Sequence, residues 1–152
     1  MSIAHNQGDG DAMTLIETAL SEWGEAERIG AAFNPRIAEY LATCGLGPSD
    51  EETWCAAFLT WCAIRSGVAA PPRPAVARSW LTVGQPVTNP SVGDIAVLRR
   101  GEPWQAHVGL FVRKDGDAVR ILGGNQGKHV GIEAFRAGDV VGYRSLRRGD
   151  LV

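Results

Sequence analysis

An α+β fold is predicted for this chain of 152 residues, on three observations. Helical signals crowd the N-terminal part, and strand signals fill the part after Gly93. The turns between those strands are short and rich in Gly and Asp, as antiparallel hairpins require. Helices first and strands second argue against the alternating order of a parallel α/β sheet.

Residues 1–10 are polar and rich in Gly and Asp, and read as a disordered tail. Residues 11–152 read as one domain, long enough to bury a single core. A first helix is expected after Asp11, with Met13, Ile16, Leu20 and Trp23 on one face. A second starts at Pro35, a favoured first helical residue, and runs through Ile37 and Leu41 to a stop near Gly45. The third has Thr53 as its N-cap behind the acidic run Asp50-Glu51-Glu52, and ends at Gly67. Between Trp54 and Ile64 it is apolar on nearly every face, the pattern of a helix buried on all sides. A bend at Pro71, Pro72 and Pro74 leads to a short helix over 75–81. Strands are then expected at 94–99, 107–113, 118–124, 129–133 and 140–146.

With 15 basic and 17 acidic residues the net charge is −2, which exerts no pull toward nucleic acid or an anionic membrane. No stretch approaches the ~18 apolar residues of a membrane span. The first residues carry neither a basic nor an apolar signal-peptide region, so synthesis in the cytoplasm is expected, with another system delivering the protein to any external substrate. The three cysteines, at 44, 55 and 62, form no C-x-x-C and no zinc-type spacing with histidine. No metal or organic cofactor is required by these residues.

Cys55 is the leading candidate for chemistry. A thiol in the first turn of a helix meets unpaired backbone N–H groups and the positive end of the helix dipole, both of which favour thiolate. Cys44 and Cys62 read as small buried hydrophobes. Downstream, His107 and Asn125 each fall on an expected strand. Cys, then His, then a polar third residue is the order of a nucleophile, its proton carrier and the group that orients the imidazole. Of the other histidines, His5 lies in the tail and His129 is the substitute for His107. Asn125 also has a plainer reading, as a turn residue in Gly-Gly-Asn.

Hairpin register bears on that grouping. A three-residue loop at Asp115–Asp117 sets His107 opposite Asn125 and Gly109 opposite Gly123. The facing glycines then leave a shallow place where a helix end carrying Cys55 can press on the sheet. A two-residue loop instead sets His107 against Gly124 and turns Asn125 away. Trp54, Trp80 and Trp104 are candidates to line a substrate cleft, with core packing as the alternative, and Gln126 and Ser79 are candidate polar contacts to substrate.

With these residues in place, the chain resembles the NlpC-like and CHAP cell-wall hydrolases, a branch of the papain-like fold. The resemblance rests on W-C-A-A-F, A-R-S-W-L, G-D-I, H-V-G, L-G-G-N-Q and G-Y-R, in that order from Trp54 to Arg144. It implies a papain-like α+β domain with Cys55 as nucleophile, His107 as base and Asn125 as third residue. It also implies an amide in or next to the stem peptide of peptidoglycan as substrate. Beyond that substrate, the partners to expect are a delivery machinery, as for a phage lysin or an exported toxin, and a cognate inhibitor. The competing readings are a papain-like hydrolase or acyltransferase for a protein or small-molecule amide, and a non-catalytic wall-binding module.

Overall fold

A computed structural model of the chain describes residues 13–28, 34–47, 54–102 and 105–150. The tail expected at 1–10 and the cap expected at Thr53 lie outside the described residues. Three helices come first: α1 (Leu15–Ser21), α2 (Pro35–Ala42) and α3 (Trp54–Ser66). A 3-10 helix (Ala77–Thr82) then leads into β1 (Gln85–Val87), β2 (Ile95–Arg99), β3 (Ala106–Asp115), β4 (Ala118–Gln126) and β5 (His129–Arg136). A last 3-10 turn (Ala137–Asp139) joins β5 to β6 (Val140–Ser145). The short β1 was not expected, and pairs with β6.

Local chemistry explains the helix limits. Thr14 and Glu17 form a reciprocal capping box at the start of α1. Asn34 caps α2 through the Arg36 N–H, with Pro35 at the first helical position. Gly67, at φ 75°, follows α3, where a left-handed residue is needed to end a helix.

The expected buried face of α1 is corrected. Leu15, Thr18 and Ala19 are buried, whereas Met13, Leu20 and Trp23 are exposed. The cap at Thr14 keeps α1 to two turns, so Met13 and Trp23 fall outside it. Its inner face is oriented by Glu22, whose buried carboxylate accepts a 2.7 Å hydrogen bond from the Tyr40 hydroxyl and pairs with Arg36 at 2.9 Å. The buried character of α3 is as expected: from Trp54 to Ala63 every residue is buried, and only Ile64 and Arg65 reach solvent.

The six strands form one antiparallel sheet in the order β1-β6-β2-β3-β4-β5. Between β6 and β5 lie β2, β3 and β4, so four inter-strand steps would separate them by roughly 19 Å in a flat sheet. Yet only Ala137–Asp139 connect Arg136 to Val140, a reach of at most about 14 Å. The sheet must therefore roll. One face packs on the helices through Ile95, Val97, Val108, Leu110, Leu122 and Val130. The other encloses a small second core of Ala96, Leu98, Phe111, Val119 and Ile121. Rolling brings His107 of β3 onto Phe135 of β5, with ring centroids 5.3 Å apart.

Candidate active site

Cys55 is the second residue of α3, and its thiol is buried against the start of β3. There it hydrogen-bonds the His107 side chain and the Val108 backbone N–H. His107 is buried as well. Its Nε2 lies 3.0 Å from Oε1 of Gln126, a residue that is only 3 % exposed. The Gln126 amide has one possible orientation. Its Nε2 donates to the Ile121 carbonyl at 2.9 Å and to the Gly131 carbonyl at 2.7 Å, which leaves Oε1 as the acceptor facing the ring. His107 therefore carries a proton on Nε2, and Nδ1 is left for the thiol.

Electrostatics follow from this contact. Burial alone would push the Cys55 thiol up; the His107 hydrogen bond and charge, with the Val108 N–H, together hold it below the ordinary thiol range. Burial would likewise depress His107, but its bonds to Cys55 and Gln126 raise it above the ordinary imidazole value. The two shifts favour a thiolate–imidazolium pair. Cys62, on the same helix but with no such partner, has its thiol pushed well up by burial.

Gln126, not Asn125, meets the imidazole. The β3–β4 turn is a two-residue loop, with Asp115 opposite Ala118, and a bulge between Phe111 and Arg113 then shifts the pairing to Leu110 opposite Leu122. That is the register a three-residue loop would have produced, and a regular β4 would then present Asn125 to His107. Instead the pairing with β5 slips by one residue between Gly123 and Gln126. Asn125 sits in this bulge at φ 55°. One extra residue reverses the facing of all that follows, so Gln126 turns toward His107. The Asn125 side chain makes no hydrogen bond among the described residues.

The glycines divide the work differently from the expectation. Gly109 and Gly123 do face each other, since a Cβ on Gly123 would stand 3.6 Å from Gly109 Cα. The space above Gly123 holds the Gln126 side chain, whose Oε1 would lie 2.6 Å from that Cβ. The helix approaches at Gly124 instead, where a Cβ would meet Phe58 and Trp54 of α3 at 2.8 Å.

Trp54 and Trp80 are corrected from cleft residues to core. Both are fully buried. Trp54 donates to Glu27 Oε2 at 2.8 Å, and Trp80 donates to the Pro74 carbonyl at 3.0 Å. Trp104 lies outside the described residues. The Ser79 hydroxyl is spent on the carbonyls of Arg73 and Val76. His129, the expected substitute for His107, has Nδ1 3.0 Å from the Gly127 carbonyl and does not contact Cys55. Two surface cavities, one along Leu15, Val68 and Leu146 and one around Glu22, Arg36 and Trp61, are lined by none of the residues of this site. Among the described residues no group of three His, Cys, Asp or Glu side chains could hold a metal ion, and no helix is long and apolar enough to cross a membrane.

Sequence reasoning did not assign Gln126 this position. The available signal was the glycine-rich run before it, which admits a bulge, but nothing in that run says where the bulge falls.

No curated protein matches the chain. Among known protein families it matches the CHAP domain over residues 47–125, just over half its length, a span that holds Cys55 and His107 and stops one residue short of Gln126. The match suggests hydrolase activity, as an amidase or peptidase, with peptidoglycan as substrate. It agrees with helices packed on an antiparallel sheet, and on this basis the chain belongs to the CHAP domain family.

Proposed function

We propose that the protein is a cysteine endopeptidase or amidase that cuts an amide in or next to the stem peptide of peptidoglycan. The observation that carries this reading is the buried chain of contacts from the Cys55 thiol through His107 to Gln126. A structural cysteine in a core has no reason to sit against an imidazole that is itself held by a doubly anchored amide.

In the reaction the Cys55 thiolate attacks the scissile carbonyl carbon, and the carbonyl electrons move onto oxygen. Unpaired backbone N–H groups in the first turn of α3 stabilise that oxyanion. As the intermediate collapses, imidazolium at His107 gives its Nδ1 proton to the leaving amine, and a thioester remains on Cys55. Water then loses a proton to Nδ1 and attacks the thioester, releasing a carboxylate and restoring the thiolate. Gln126 keeps the ring in place by accepting from Nε2–H throughout. As a neutral amide it orients the imidazolium without adding a charge, so among the described residues the thiolate is the anion that balances it. The place of action under this reading is the cell wall.

The test is mass spectrometry of fragments released from purified sacculi by wild type, Cys55→Ala and His107→Ala. Release by the wild type alone supports the reading, and fragment masses name the bond. No release by any of the three, with Cys55 still unusually reactive to alkylation, transfers the chemistry to another amide. An inert Cys55 together with tight binding to sacculi would point to a binding module.

A further inference from the structure

Arg100 stands beside the reactive pair on two separate grounds. Leu98 of β2 pairs with His107 of β3. Arg100 follows two residues later, so strand alternation carries it to the His107 face, about 7–8 Å away on the diagonal. A 3.2 Å bond from its N–H to the Gln105 carbonyl keeps the backbone beside the start of β3 at that point. Independently, its positive charge is felt by both the Cys55 thiol and the His107 ring, favouring the thiolate in one and opposing the proton in the other. Arg100 is exposed and makes no ion pair among the described residues. Glu102, two residues on, is likewise in no ion pair among them. Two other arginines of the sheet, Arg113 and Arg120, are used differently and close on Asp115. Arg99 and Arg136 are, like Arg100, exposed and in no ion pair among the described residues, but neither acts on Cys55 or His107. An unpaired guanidinium next to a nucleophile offers a planar fork suited to a carboxylate.

We propose that Arg100 is a specificity residue of this site, binding a carboxylate on the substrate next to the amide that Cys55 attacks. The inference rests on the amide-hydrolase reading and narrows its substrate class: peptides with a free carboxylate at that point are preferred over the same peptides with a carboxamide. The contact is made to a part of the substrate that does not react, so it acts mainly on KM.

Wild type, Arg100→Gln and Arg100→Lys are compared in two assays. In the first, Cys55 is alkylated with iodoacetate and with iodoacetamide, and the modified peptide is quantified by mass. The two reagents share a leaving group and differ in charge. The ratio of their rates should fall about threefold in Arg100→Gln, the Coulomb factor for one charge at this range in mostly aqueous surroundings, and be largely kept in Arg100→Lys. In the second, kcat and KM are measured on a stem peptide with a free carboxylate and on its carboxamide. Wild type should favour the carboxylate about tenfold, and Arg100→Gln should lose that preference through KM. An unchanged alkylation ratio overturns the proposal, as does an equal loss on both peptides. A wild type that cuts neither peptide overturns the hydrolase reading alone, because the alkylation ratio decides the part of Arg100 without it.

Discussion

Replacing Gln126 with alanine removes three buried hydrogen bonds at once: 3.0 Å to His107, 2.9 Å to the Ile121 carbonyl and 2.7 Å to the Gly131 carbonyl. At a net value of about 1 kcal/mol each, the folded state loses about 3 kcal/mol. For a chain of this size that lowers Tm by roughly 6–12 °C. The catalytic effect is separate, since an imidazole without its partner is no longer held toward the thiol. Losing about 1.4–2.8 kcal/mol of orientation in the transition state slows turnover by about 10- to 100-fold. The proper control is Asn125→Gly, which removes the neighbouring amide while suiting the backbone at φ 55°. It should keep activity to within about threefold. Both variants are assayed well below their melting temperatures, with sacculus digestion for turnover and iodoacetamide labelling for the thiol. If Asn125→Gly loses as much activity as Gln126→Ala, the bulge does not select Gln126 and the reasoning fails. Gln126→Glu adds a sharper check. A carboxylate can still accept from His107, but it has no proton for either carbonyl, so this isosteric change should destabilise at neutral pH even while the ring keeps its partner.

Reactivity with pH should show both halves of the pair. Because Cys55 lies below the ordinary thiol range, iodoacetamide should label it at mildly acidic pH, where an ordinary thiol is protonated and slow. In His107→Ala the opposing influence is gone and burial dominates, so the labelling midpoint should move to higher pH; an unmoved midpoint would deny the coupling. In the wild type, kcat/KM should fall on the acid side as the thiolate is protonated and on the alkaline side as His107 loses its proton, above the usual imidazole range. Gly124→Ala forces a methyl to within 2.8 Å of Phe58 and Trp54, both fully buried, and should cost about 1–3 kcal/mol as α3 is pushed off the sheet. Gly138→Ala meets nothing within 4 Å and should leave Tm unchanged, so equal melting of the two by calorimetry would contradict the packing described. Tyr40→Phe deprives the buried Glu22 carboxylate of its 2.7 Å donor and should lower stability by about 2 kcal/mol in urea unfolding, while Cys55 labelling stays at the wild-type rate.

Much of this arrangement was legible in the chain. The apolar run from Trp54 to Ile64, interrupted only by Thr60, read as a helix enclosed on all sides, and Gly67 marked its end. Cys55 at its start and His107 on the second long strand stood out as candidates for a nucleophile and its partner, because residue type and order along the chain carry that suggestion, and the fold sets the two side by side. The face of α1 was misread because Met13, Ile16, Leu20 and Trp23 follow a helical spacing while the helix, Leu15–Ser21, is too short to include the first and the last of them. A capping box at Thr14 and Glu17 was the local signal that would have set its start.

Two features depended on tertiary structure alone. The bulge at Asn125 results from β4 reconciling its pairing with β3 on one side and β5 on the other. No local propensity encodes that compromise, yet it decides which of two adjacent amides meets His107. The rolling of the sheet is likewise set by a three-residue link between strands that are not neighbours, and it stacks Phe135 on the imidazole from 28 residues away in the chain. Side-chain identity and chain order thus determined the chemistry available to this protein. The facing of each side chain was decided by strand register, a property of pairs of strands that a single residue slip reverses.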